Sequence, residues 1–236
     1  MKHRRDQSLA HPGAIDYSIL EEVKPILRGW SHAVAAIAAV IVTVGLLVQT
    51  RDDFTRFFSL LVFGITMIEL YVVSAIYHIG SWEGRREAML RAVDHANIFL
   101  LIAGTYTPIC MIVLSGWLRV AVLTLIWTIA IAGVAGTVVT LRLPRWLSTS
   151  LYVGMGWISL IVLPQLLQLL PWQAIAMLGA GGLFYTLGAV VYALRRPNPI
   201  PHVFGFHEIF HLFTIAGGAS FIIAIWLWVV PFSYAA

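Results

Sequence analysis

Charge is scarce in this 236-residue chain: Asp, Glu, Lys and Arg make up 11% of it, where soluble domains carry about 25%. Hydrophobic residues make up 60%, and mean hydropathy is +0.87. A soluble domain of this length has no interior large enough for that much apolar surface, whereas a bilayer does. Cysteine is nearly absent. The single residue, Cys110, lies in an apolar run, which excludes an intramolecular disulfide and leaves the redox compartment unread. Lysine is confined to Lys2 and Lys24, both ahead of the first long apolar run. A pigment that holds retinal as a Schiff base needs a lysine inside its helix bundle, so that class is excluded. Residues 1–29 mix basic and acidic side chains and lack the apolar stretch of a cleavable signal peptide, so the run that follows is expected to insert uncleaved. No internal repeat, low-complexity tract or soluble domain stands out, and a repeat-built transporter gains no support.

What the chain does have is apolar runs of membrane length. A crossing helix needs about 20 such residues. Seven segments qualify: 30–50, 57–79, 92–114, 120–141, 150–170, 174–194 and 207–230. A single helix over 150–194 would be far too long, so a tight turn is expected at Pro171-Trp172-Gln173. Pro108 and Pro164 fall inside spans and are expected to kink them. Gly and Ala at 132, 133, 136, 154, 156 and 179–182 offer small faces for close helix contact. With the N-terminus inside, 12 of the 15 basic residues fall in cytoplasmic segments, and only Arg51, Arg56 and Arg119 stay outside. The positive-inside rule therefore sets the N-terminus in the cytoplasm and the C-terminus outside. The same count accounts for the pI near 9.5 without a nucleic-acid partner. The expected architecture is all-α: a cytosolic segment over 1–29 and one seven-helix transmembrane domain over 30–236, in the cell (inner or plasma) membrane. In the first segment, Ser18 and Glu21 have capping-box spacing and predict a short interfacial helix from about 18 to 28.

Ionisable side chains inside a span are costly and are functional candidates by default. Here they are Glu69, His78, Asp94, His95, His207, Glu208 and His211, with His32 near the start of the first span. His78 closes the second span, Asp94 and His95 open the third, and His207 and His211 open the seventh, so three segments deliver these groups to one depth. Residues four apart on a helix share a face, which pairs His207 with His211 and Ser74 with His78. Glu69 lies about 180° round from His78 and is expected to hydrogen-bond another helix. The run "HEIFH" (207–211) has the spacing of the zinc helix in soluble metalloproteases. After His211, however, the chain contains no His, Cys, Asp or Glu, so a third ligand must come from upstream. His78 is the best-placed candidate, with His95 as its rival. Asp94 and Glu208 both stand as the base that would handle a metal's water.

The segments "ELYVVSAIYH" (69–78), "DHANIFLLIAGTYTP" (94–108) and "HEIFH" resemble the hemolysin III family of the progestin and adiponectin receptor superfamily. The likeness extends through "YSILEE" (17–22), "SH" (31–32), "MGWISL" (155–160) and "GGLFYTLG" (181–188). It implies a seven-helix bundle with a cytoplasmic N-terminus and a Zn2+ ion near the inner leaflet. The implied ligands are His78, His207 and His211, with Asp94 on the zinc's water and Ser74 beside the site. Receptors of the superfamily can carry Gln in place of Glu208. Many members have a further histidine where this chain has Phe221. The function implied is a zinc-dependent hydrolase of lipid amides, ceramidase-like, acting on membrane lipids. The alternatives are a non-enzymatic sensor or structural zinc protein responsive to a lipid-like ligand, or a cytolysin. Nothing in the sequence fixes an oligomeric state.

Overall fold

A computed structural model describes residues 25–140, 144–200 and 202–233. Its helices are α1 (Trp30–Gln49), α2 (Phe54–Ile79), α3 (Gly84–Pro108), α4 (Gly116–Thr140), α5 (Arg145–Trp157), α6 (Ser159–Leu169), α7 (Trp172–Leu194) and α8 (Phe206–Ala224). Among the described residues, seven helical spans are long and apolar enough to cross a membrane, with α5 and α6 together making the fifth. The tight turn expected near Pro171 is present: α6 ends at Leu169, and α7 starts at Trp172 with extended Pro171 before it. The expected interfacial helix at 18–28 lies largely outside the described residues, and 26–29 form a turn.

The main departure in boundaries is α3, which begins at Gly84 rather than near residue 92. Its first two turns carry Arg85, Arg86, Glu87 and Arg91, a charged extension that hydropathy alone excludes from the span. Asp94 therefore sits in the third turn, about 15 Å along the helix from Gly84, and does not cap its start. The two prolines expected to kink their spans differ: only Pro108 lies next to a break, and Pro164 sits inside α6. Pro108 leads into a π turn at Ile109–Val113 that closes the third crossing. In the fifth, the interruption falls at Ile158, one to two turns ahead of Pro164, next to Gly154 and Gly156. The buried Tyr106 hydroxyl of α3 lies 2.9 Å and 2.8 Å from the carbonyls of Met155 and Gly156 beside this interruption, and its single proton is shared between them.

The third crossing is the central strut. Of its apolar window 83% is buried, against 17% for the fifth and sixth crossings. Large apolar side chains such as Ile37, Ile41, Val44 and Val48 on α1 are exposed, which water would not tolerate as a stripe and lipid does. The dry core fills the end of the bundle where α1 finishes and α2 starts. There Leu46, Leu60, Phe63, Val113, Leu114 and Ile225 are all buried almost completely. At the same end Asp53 caps α2, its carboxylate accepting from the Arg56 N–H at 2.9 Å. That hydrogen bond is the leading reason the Asp53 carboxyl titrates below its usual range. Arg56 also donates to the carbonyl of Val230 at 3.0 Å and to that of Phe232, which ties the start of α2 to the end of the seventh crossing. A second π turn, Ile225–Val229, closes that crossing.

Helices approach most closely where glycine meets a side chain. A Cβ on Gly133 would fall 2.6 Å from the Phe99 ring, and one on Gly181 would fall 2.7 Å from Phe221, so two of the small residues expected at contacts are there. Gly136, Gly154, Gly156, Gly179 and Gly182 instead face open space. The tightest approaches lie elsewhere, at Gly64 and Gly104. A Cβ on Gly64 would meet the Thr43 Cγ2 at 2.2 Å and its Cβ at 2.9 Å, so turning the threonine side chain cannot make room. Gly64→Val is expected to force α1 and α2 apart and to lower stability by about 1–3 kcal/mol. Thermal unfolding in detergent would measure it, and an unchanged midpoint would contradict the close contact.

Candidate metal centre

The opposite end of the bundle is polar. The last turns of α2 carry Ser74 and His78, and the first turns of α8 carry His207 and His211. Ser74, His78 and His211 are buried, and His207 is partly so. One ligand atom each from His78, His207 and His211 can be chosen so that all lie within 4.8 Å of one another. The Nε2 atoms of His78 and His207 are 3.1 Å apart. Ligand nitrogens on a tetrahedral zinc, with bonds of about 2.05 Å, lie about 3.3 Å apart. The His78–His207 pair already has that spacing, and the three imidazoles, within 4.8 Å of one another, could hold a transition-metal ion that their chemistry suits. Asp94 approaches from α3, with Oδ2 3.6 Å from the His78 Nε2.

The entry of α8 is held from three directions. Gly205, extended, precedes the helix, and its N–H donates to the Glu208 Oε2 at 2.7 Å. The Phe206 N–H donates to the Asn198 side-chain oxygen at 2.9 Å. Arg28, just ahead of α1, donates from Nε to the other Glu208 oxygen at 2.8 Å, forming an ion pair whose carboxylate is only 4% exposed. Both Glu208 oxygens are therefore occupied in capping and pairing. Of the two carboxylates that the sequence leaves open, Asp94 is the one beside the imidazoles.

His95 does not join the cluster. Its Nδ1 lies 2.7 Å from the Arg91 carbonyl and its Nε2 3.0 Å from the Tyr192 hydroxyl of α7. Helical spacing predicts that His95 points about 100° away from Asp94, yet the same Nδ1 also lies 3.9 Å from the Asp94 Oδ2, so the two side chains stay neighbours while the His95 ring turns to α7. Glu69 is also outside the cluster and half-buried. The expected hydrogen bond from its carboxylate to another helix is not formed among the described residues; its backbone carbonyl, not its side chain, accepts from Asn97 of α3 at 3.5 Å. Phe221 packs on Tyr185 of α7, with ring centroids 5.5 Å apart, so helix packing fills the position where the resembling family often has histidine.

Sequence reasoning named His32 among the ionisable candidates but gave it no partner, and so missed how α1 contributes. His32, only 2% exposed, stacks face to face on His211. Gly29 enters α1 at φ 88°, a left-handed conformation that suits glycine, and a Cβ there would lie 2.9 Å from that of His78. The signal available in the sequence was depth: His32 sits at the same end of its span as the ligand candidates do of theirs.

A cavity of about 750 Å³ opens at this end of the bundle and reaches His78 and His207. Arg28, Arg91, Arg195, Tyr77, Tyr192 and Trp82 are among its lining residues.

The family model described as haemolysin-III related matches residues 20–222 of the chain. Hemolysin-3 of Bacillus cereus is 30% identical over 208 residues, spanning 87% of this chain and 92% of that protein. The hemolysin-3 homolog of Bacillus subtilis (strain 168) is 32% identical over 162 residues, covering 69% of this chain and 73% of the relative. The monocyte to macrophage differentiation factor of Homo sapiens is 26% identical over 204 residues, 84% of this chain and 81% of its own.

Proposed function

Because this chain belongs to the haemolysin-III-related family of multi-pass membrane proteins, we propose that it holds one zinc ion on His78, His207 and His211 and uses it to hydrolyse a lipid amide. The observation that carries this reading is the convergence of three imidazoles within 4.8 Å beside a carboxylate, at a cavity that reaches two of them. When bound, the ion would supply Lewis acidity that makes water nucleophilic near neutral pH. Asp94 would take the proton that water loses and pass it to the leaving nitrogen as the carbon–nitrogen bond breaks, giving a carboxylic acid and an amine, which then exchange a proton to become carboxylate and ammonium. Ser74, one turn from His78 on the same buried face, would line the site. Glu208 would keep α8 in place rather than exchange protons.

Arg28, Arg85, Arg86, Arg91, Arg195 and Arg196 lie at the site end of the bundle, and Arg51, Arg56 and Arg119 at the other. This asymmetry supports a cytoplasmic site end in the cell membrane. A substrate with an apolar tail and a polar linkage at headgroup depth suits that position, so membrane lipids are the partners and no nucleic acid is involved.

A second reading has its own support. α8 packs mainly on α7, and α2 mainly on α1 and α3, so an ion shared by His78 and His207 would clamp helices that otherwise touch little. Purified protein given labelled lipid amides and esters separates the two. Turnover abolished by a chelator and restored by zinc supports the hydrolase. A chelator-induced loss of thermal stability, with no product from any lipid, favours the clamp.

A further inference from the structure

We propose that His32 is a positioning residue for the metal centre, holding the His211 ring by its face in a way that no hydrogen bond does. This rests on the zinc reading above and extends it to the first crossing, which supplies none of the ligands.

A histidine that binds a metal normally donates its other ring N–H to a carboxylate, carbonyl or water, and that bond fixes the plane of the imidazole. The His211 ring makes no hydrogen bond among the described residues, and its Nδ1 is buried without a partner. Some other contact must set its plane. His32 lies parallel to it, with centroids 3.8 Å apart and 12° between planes. Tyr71 of α2 closes the arrangement, its ring 5.1 Å from that of His32 at 53°. His211 is 1% exposed, so rotation of its ring about the Cβ–Cγ bond would drive ring edges into His32 inside a closed space. Neither His32 nitrogen makes a hydrogen bond of ordinary distance and angle among the described residues, so the contact with the His211 ring falls to the ring face.

The neighbours of His32 reinforce this. Within residues 28–32, Arg28 pairs with Glu208 at the head of α8, Gly29 lies against the His78 backbone end, and His32 stacks on His211. One short stretch of α1 and its lead-in thus touches both helices that carry the imidazoles.

The test is metal affinity, by competition with a chromophoric chelator, for the full-length protein and three variants. His32→Ala should bind zinc about 10–100-fold more weakly, the range found when a supporting partner of a metal ligand is lost. His32→Leu fills the space without a flat face and should be similarly weak. His32→Phe keeps a flat ring and should stay within about threefold of the parent. The leucine and phenylalanine variants decide the matter even if the alanine variant does not fold. Parent-like affinity in His32→Leu would overturn the proposal. So would a phenylalanine variant as weak as leucine, because the imidazole nitrogens would then be what matters. A parent protein that binds no zinc would instead overturn the metal reading on which this rests.

Discussion

His211→Ala is expected to purify as a folded membrane protein that has lost its zinc, with affinity reduced about a thousand-fold or more. Structural zinc sites contribute about 10–16 kcal/mol of binding free energy, and removal of one of three protein ligands forfeits several of those. His211 is also the most enclosed of the three, at 1% exposure, so a small solute cannot easily replace it. Metal content by elemental analysis and affinity by chelator competition would measure the loss. His95→Ala provides the contrast: its ring is engaged with Tyr192 and the Arg91 carbonyl, and the variant should keep its metal. Zinc bound at parental affinity by His211→Ala would dismiss the three-histidine site.

Asp94→Asn should separate binding from chemistry. The amide keeps the shape of the carboxylate and can still contact His78, so saturating zinc should fill the site. An amide cannot accept the proton that hydrolysis releases, and turnover of a lipid amide should fall about 100- to 10,000-fold. Glu208→Gln is the matched control. Glu208 spends its oxygens on the Gly205 N–H and Arg28, so its variant should lose some stability and keep most of the rate. If Glu208→Gln were inactive and Asp94→Asn fully active, the assignment of the base would reverse.

Much of the arrangement was legible in the sequence because bilayer length is a strong constraint. All seven crossings fall where apolar length put them, and the spacing of His207 and His211 brought both to one face. The failures have physical causes too. Hydropathy excluded the charged turns of α3, so Asp94 was read as a helix opener when two turns precede it. Small residues were counted as contacts by type alone, yet Gly154 and Gly156 face open space while Gly64 and Gly104 make the closest approaches. No sequence period indicates which helices will be neighbours, and without that the stack of His32 on His211 stays invisible. The same gap left Glu208 competing with Asp94, since its partner Arg28 lies 180 residues away.

The imidazoles come from the second and seventh crossings, with more than 120 residues between His78 and His207. During synthesis, a nascent chain whose first six crossings have entered the bilayer presents only one of the three imidazoles. Loading of the proposed zinc site would therefore report that the last helix has arrived and seated, which would make the ion a late checkpoint in biogenesis rather than a nucleus around which the protein assembles.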